Sequence, residues 1–308
     1  MGAIDVAYNC VVCIKYVPDT KKVSGNAMKE DGTVNRAALA MIFNPEDRNA
    51  LETAVDIRDR CGGTVTVVTM GPPAASEILR ESLCRGADDV VLITDRRAAA
   101  SDTLATSYIL SCAVRKFYPD IVLCGRQAID GDTAQVGPQL AEKLQFTLAT
   151  YVEQLLALEA DTVRVRRNVG SGWEVVSCKL PVLLTVTEAA NTPRPPAAKR
   201  IMKYKKARSA VEVAQAVAAE MPDADEAARA AEAEKRCQAL KQKGLLIETL
   251  GLDDIGADLA WCGMSGSPTK VHRIQSVVLT GGEYKEFPPT DEGTAALIGE
   301  LIESHTIG

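Results

Sequence analysis

Four short apolar runs, each leading into a stretch with helical spacing, constrain this chain more than any other feature. They are Cys10-Val11-Val12-Cys13-Ile14, Thr64 to Met70, Val90 to Thr94 and Ile121-Val122-Leu123-Cys124. In the first, apolar residues do not alternate with polar ones, so it reads as a fully buried strand. The fourth, a short β-branched and apolar run after a turn, also reads as a buried strand, and the other two as further strands. The first strand is placed at residues 9–16. Asn44-Pro45-Glu46-Asp47 reads as a helix start: Asn caps, Pro fits the first position, and acids suit the first turn. Ala50, Ala54, Ile57 and Cys61 mark the buried face of that helix, and Gly62-Gly63 stop it. A second helix is expected from about Ala74 to Arg85, closed by Gly86. A third opens at Ser101-Asp102-Thr103, with Ala105, Ile109 and Cys112 on one face. This alternation predicts an α/β fold with a doubly wound, mostly parallel sheet. Residues 21–41 are mixed and predict a hairpin or meander around Asp31-Gly32.

The stretch Gly125 to Pro138, GRQAIDGDTAQVGP, follows the fourth run and precedes Val136, Leu140, Ala141 and Leu144, which share one helix face. It therefore joins a parallel strand to a helix at the strand's carboxyl end, where such sheets bind ligands. Gly125, Gly131 and Gly137 allow close backbone approach, and the first amides of the helix suit phosphate. Asp130, Asp132 and Thr133 are candidates to cap that helix or to hold ribose hydroxyls.

Net charge is −6 over 308 residues, which gives no footprint for a nucleic-acid partner. No apolar run approaches the roughly 20 residues of a membrane span, and no basic segment precedes a long apolar core as in a secretory signal. Nine cysteines, an odd number scattered along the chain, predict reduced thiols in a cytoplasmic protein. Cys10 and Cys13 have the spacing of a redox or metal pair, but residues three apart in a strand point to opposite faces. No second pair follows at zinc spacing, and only two histidines are present. No metal site is expected, and Cys84 and Cys124 read as core thiols.

After about residue 146 the pattern changes. Thr162 to Arg167 and Trp173 to Cys178 flank Gly170-Ser171-Gly172 and predict an antiparallel hairpin. Val182 to Val186 reads as a last buried strand. Residues 1–190 are expected to form the α/β domain and 191–308 an extended C-terminal arm. The arm opens on a proline-rich exit at Asn191 to Pro196 and a basic cluster, Lys199 to Lys206. A helical insert follows at about 206–245, rich in Ala, Glu, Lys and Gln, whose composition cannot make a core by itself. Residues 263–272 form a Gly-Ser-Pro loop, and Thr294 to Ile302 has helical spacing.

Four stretches together resemble the beta subunit of electron-transfer flavoproteins, over nearly the whole length. They are Val11 to Asp19, Asn44-Pro45 with its helix, Gly125 to Pro138, and Val165 through Glu174 to Thr185. Gly170 and Ser171 stand where the family's signature usually has an acid and Gly or Asp. The resemblance implies a heterodimer with an alpha subunit carrying FAD. It also implies a Rossmann-like beta-subunit domain holding an adenine nucleotide, and a C-terminal arm around the alpha subunit. In one branch the beta nucleotide is AMP; in the electron-bifurcating branch it is a second FAD that accepts hydride from NADH. The loop Gly131 to Pro138, the segment Asp102 to Ser107 and Gly266 to Thr269 are similar to the bifurcating branch. The resemblance places cofactor contacts at Cys13, Asn44, Pro45, Glu46, Asp47, Met70, Gly71, Asp102, Thr103 and Thr106. Further contacts fall at Gly125, Arg126, Gln127, Ala128, Asp130, Gly131, Asp132, Thr133, Ala134, Gln135 and Val136. No residue is expected to act as a catalytic acid or base, because the flavin carries the chemistry. A partner dehydrogenase or oxidoreductase is implied to dock at about Thr192 to Lys199. Ala198 stands there in place of the exposed leucine of acyl-CoA-dehydrogenase-linked members.

Two other readings stand beside this one. The first is an AMP-binding structural subunit without a redox cofactor of its own. The second is an ATP-using α/β enzyme or nucleotide-sensing module. Against it, Tyr16-Val17-Pro18-Asp19-Thr20 occupies the place of a phosphate loop after the first strand, and no Walker lysine motif appears. Arg126 has three candidate roles: a phosphate, the flavin edge, or a neighbouring acid.

Overall fold

The structure, a computed structural model, describes residues 6–19, 40–269 and 285–303. The hairpin expected around Asp31-Gly32 lies outside these residues. The first half runs β1 (Tyr8–Cys13), β2 (Tyr16–Pro18), β3 (Met41–Phe43), α1 (Pro45–Cys61), β4 (Gly63–Met70), α2 (Ser76–Arg85) and β5 (Asp89–Ile93). It continues with α3 (Thr103–Arg115), β6 (Ile121–Gly125), α4 (Val136–Leu144), β7 (Thr147–Glu159), β8 (Thr162–Asn168), β9 (Trp173–Lys179) and β10 (Val182–Val186). Then come α5 (Ala198–Tyr204), β11 (Arg208–Ser209), α6 (Ala210–Glu220), α7 (Glu226–Gln242), β12 (Leu246–Leu250) and α8 (Asp291–Glu303).

Ten strands form one sheet in the order β11-β12-β5-β4-β1-β6-β10-β7-β8-β9, and β2 pairs with β3 beside it. From β11 to β7 every pairing is parallel; β7, β8 and β9 form an antiparallel meander. Successive side chains on a strand face opposite ways, so each central strand feeds two apolar layers. Val12, Val67 and Leu123 pack under α1 and α2, with Leu51, Ala54 and Leu79. Val11, Val68 and Val122 pack under α3 and α4, with Ile109, Leu110 and Leu140. Helices thus cover both faces, and the doubly wound parallel architecture is the one the sequence predicts. Cys10 lies in the first layer and Cys13 in the second, so that pair is split across the sheet. All nine cysteines are free.

Three expectations change. The strand β7 has no counterpart in the sequence reading. Its register shifts between Val152 and Gln154 and again between Leu155 and Ala157, and Tyr151 has φ 57°. Each bulge resets which residues face inward, which destroys the alternation that betrays a strand. Val182 to Val186 is not the last strand either, because β12 pairs with β5 and carries the sheet two strands further. The end of the sheet therefore does not fall at residue 190. Finally, the helical insert has a small core of its own: Val213, Val217 and Cys237, with Met221, Ala233, Leu240 and Leu246 against them. Ser209 opens it with a reciprocal cap, its hydroxyl accepting from the Glu212 amide while Glu212 accepts from the Ser209 amide.

Candidate functional site

The strand order reverses at β1: β4 and β5 lie to one side, β6 and β10 to the other. At such a switch point the loops leaving the strands diverge and open a crevice at their carboxyl ends. A cavity of about 410 Å³ lies there, within the range of small-molecule and cofactor sites. Its walls come from Cys13, Ile14 and Lys15 after β1, Met70 at the end of β4, Ala98 to Thr106 before and into α3, and the loop from Cys124 to Gly137 after β6.

The β6–α4 loop is held by the first turn of α1. Asn44 is buried, but its side chain does not cap the helix. Its amide donates to the Gln127 carbonyl (2.9 Å) and its carbonyl oxygen accepts from the Ile129 amide (3.2 Å). Glu46 accepts from the Gln127 amide (2.9 Å) and pairs with Arg126 at 3.1 Å. Asp47 sits deepest. One carboxylate oxygen accepts from the Gly125 amide and the other from the Lys15 amide, both at 2.8 Å. It therefore staples the carboxyl ends of β6 and β1 together beneath the cavity. Burial outweighs these hydrogen bonds and pushes the Asp47 carboxyl up to about 7. Gly125 is required by this packing, since a Cβ there would lie 2.5 Å from an Asp47 carboxylate oxygen and 2.8 Å from the Glu46 Cβ. Lys15 closes the rim by pairing with Asp130 at 2.8 Å.

Two helix N-termini face the cavity. Asp102 caps α3, accepting from the amides of Leu104 (2.9 Å) and Ala105 (3.0 Å). These backbone donors hold the carboxyl below its usual range although partial burial opposes them. Its other oxygen accepts from the Thr269 amide, and the buried Ser267 hydroxyl accepts from the Asp102 amide. The Gly-Ser-Pro loop is thus clamped onto the start of α3. Thr103 donates to the Gln135 side chain at 3.0 Å, which ties the start of α3 to the start of α4. Before α4, Asp132 and Ala134 have left-handed backbone (φ 47° and 52°), and Gln135 returns to φ −97°, ψ −29°. A left-handed residue followed by a right-handed one points successive amides the same way, a nest suited to an anion. Among the described residues, the Thr133, Ala134 and Gln135 amides have no protein acceptor.

Of the residues named from sequence, Cys13, Asp47, Met70, Asp102, Thr103, Thr106, Gly125 to Ala128 and Gly131 to Val136 line this one cavity. Asn44, Pro45, Glu46, Gly71 and Asp130 do not line it. Asn44 and Glu46 brace the loop from behind, Asp130 is taken by Lys15, and Gly71 continues β4 by donating to the Ile93 carbonyl. Neither Asp130 nor Asp132 caps α4; Asp132 accepts from the Gln127 side chain. Arg126 pairs with Glu46 and stacks 5.5 Å from the Tyr151 ring. Lys15 and Ser101 were missed. Lys15 lay inside the strand expected at residues 9–16 and leaves it only because β1 ends at Cys13, whereas Ser101 is brought in by its bonds to the Ala98 carbonyl and the Gly263 amide. Burial pushes the Cys13 thiol up to about 12 and also raises Cys124 well above the usual thiol range, so both remain neutral walls. No group of side chains among the described residues could hold a metal ion.

A doubly wound sheet with its cavity at the switch point, floored by strand ends and faced by two helix N-termini, defines a Rossmann-like α/β protein. Residues 31–233 match the electron transfer flavoprotein domain. The chain is 38% identical over 299 residues to the electron transfer flavoprotein subunit beta of Clostridium acetobutylicum, covering 97% of this chain and 100% of that one. It is 39% identical to the corresponding subunit of Megasphaera elsdenii, over 95% and 96% of the two chains. It is also 38% identical to the caffeyl-CoA reductase-Etf complex subunit CarD of Acetobacterium woodii, over 96% and 99%. The chain belongs to the electron transfer flavoprotein family, among its beta subunits.

Proposed function

We propose that this chain holds FAD in the switch-point cavity and passes electrons between NADH or a dehydrogenase and the flavin of an alpha subunit, in the bifurcating manner. The observation that carries this reading is a donor set wider than one phosphate: the unpaired Thr133, Ala134 and Gln135 amides before α4, and the Thr103 and Thr106 hydroxyls on the first turn of α3, whose Leu104 and Ala105 amides Asp102 already caps. A diphosphate has charge for two such positions, whereas a monophosphate needs one. The donor set therefore fits a dinucleotide better than AMP. Bound there, the flavin would supply the redox chemistry. The chain's own residues would hold and orient it: Thr103, Thr106 and the loop amides toward phosphate, Asp47 and Gly125 as the floor. Lys15 and Asp130 would form one rim.

Contacts outside the cavity fit an assembly. Helix α8 shows Leu297, Ile298 and Ile302 to solvent, as a helix meant for an alpha subunit would. Arg194 fixes the segment 192–199 by pairing with Glu52 (2.9 Å) and Asp59 (2.8 Å). The segment leads to Met202, 66% exposed, which would serve a docking dehydrogenase where Ala198 offers little apolar area. No helix among the described residues is long and apolar enough to cross a membrane.

Cofactor content of the purified heterodimer, by acid release and chromatography, tests the proposal. Two FAD and no AMP per dimer is the expected result, followed by reduction on adding NADH. One FAD and one AMP would overturn the second-flavin reading and leave an AMP-holding structural subunit.

A further inference from the structure

The two-helix insert makes a second surface at the sheet edge formed by β11 and β12, and it shares no lining residue with the switch-point cavity. Helices α6 and α7 enclose a groove of about 320 Å³. Val213, Ala216, Ala239 and Leu240 form its apolar lining, and Arg208, Arg236 and Lys243 stand around it. Arg236 is committed to Glu220 and Glu232, both at 2.8 Å. The one acid in the lining, Glu212, is committed to Arg80 through two bonds of 2.8 and 2.9 Å. Arg208 and Lys243 make no ion pair among the described residues.

These two cations belong to a larger patch. Lys205 and Lys206 precede β11, Lys241 precedes Lys243, and the Arg208 amide donates to the Leu245 carbonyl, so both approaches meet at one place. All five side chains are exposed and none makes an ion pair among the described residues. Helices α5 and α7 end here, and each carbonyl end offers about half a negative charge. Glu248 and Asp89 on the adjacent strands add two more charges at most. The surplus is still about +2, in a chain whose net charge is −6. An apolar groove flanked by unmatched cations is complementary to a segment that carries both apolar side chains and carboxylates.

We propose that the base of the α6–α7 hairpin is a docking site for an acidic amphipathic segment of a partner protein. An apolar side chain sits between Ala216 and Ala239, and carboxylates meet Arg208 and Lys243. A nucleic acid would leave the groove unfilled. An anionic membrane would meet the cations but not the pocket. The inference is independent of which nucleotide the cavity holds.

The test uses the purified heterodimer and a fluorescein-labelled helical peptide of alternating leucine and glutamate faces, followed by anisotropy. A peptide with lysine in place of every glutamate is the control. The acidic peptide should bind at least about tenfold more tightly than the basic one, and binding should weaken as salt rises from about 0.05 M to about 0.5 M. Double reversal, Arg208→Glu with Lys243→Glu, should cost about tenfold or more. Ala216→Glu, on an exposed position, should cost a similar factor by closing the groove, while the cofactor content of each variant stays that of the parent. Equal affinity for both peptides, no binding, or binding indifferent to all three substitutions would overturn the proposal. So would phosphatidylglycerol vesicles that bind with the same dependence on Arg208 and Lys243 while the acidic peptide does not, since that result would assign the patch to a lipid surface.

Discussion

Asp47 should make this protein less stable as pH rises from 6 to 8, and Asp47→Asn should remove the effect. In the unfolded chain its carboxyl keeps the ordinary aspartate value of 3.8; in the fold burial penalises the charge and pushes it up to about 7. Below pH 3.8 the group is neutral in both states and contributes nothing to the pH dependence. Between these values it is ionised when unfolded and protonated when folded, so stability falls with rising pH. Above 7 the folded protein carries the whole cost, about 4 kcal/mol at 1.36 kcal/mol per unit. From pH 6 to pH 8 the remaining change is about 1 kcal/mol, a window that stays above the isoelectric point near 5.2. Asp47→Asn keeps an acceptor for the Gly125 amide but turns an amino group toward the Lys15 amide. It should therefore cost about 1–3 kcal/mol at pH 6 and much less than that relative to the parent at pH 8. Urea unfolding of both proteins at the two pH values reads the difference. An infrared titration of the protonated-carboxyl band lost in Asp47→Asn reads the midpoint directly. A midpoint below pH 5, or a parent-to-variant difference that does not move between pH 6 and 8, would refute the reasoning.

Gly125→Ala and Gly131→Ala lie on one loop and should behave in opposite ways. A methyl at 125 meets Asp47 and Glu46 at 2.5 to 2.9 Å and should cost about 1–3 kcal/mol in a thermal melt, whereas at 131 nothing lies within 4 Å and the change should stay within about 0.5 kcal/mol. Asp102→Ala removes the α3 cap and the acceptor for the Thr269 amide. It should cost about 1 kcal/mol and lower nucleotide content on gel filtration; full occupancy would show that the clamp on the Gly-Ser-Pro loop does not shape the cavity.

The family and the parallel sheet were legible because their signals are local. Val11-Val12 and Val122-Leu123 must each send one residue to each face, so uniform apolarity announces a two-sided strand. Pro45 and Asp102 start helices by what they do within a few residues. The strand β7 was illegible because its bulges erase its period. The return of β12 to the sheet edge was hidden behind a helical insert whose composition says nothing about where it packs.

At the candidate site, sequence alone determined the place: a loop after a parallel strand, rich in small residues, leading into a helix. Only the tertiary structure decided which residue does what there. Asn44 reads as a helix cap until Gln127 and Ile129, some eighty positions later, take up its side chain. Glu46 and Asp47 read as first-turn acids, yet one holds the loop and the other is buried between two strand ends. Propensity and period describe a residue's neighbours along the chain, but a buried polar group is satisfied by whatever donor the packing brings within reach. That partner is set by how α1 leans on β6, a relation no stretch of sequence contains.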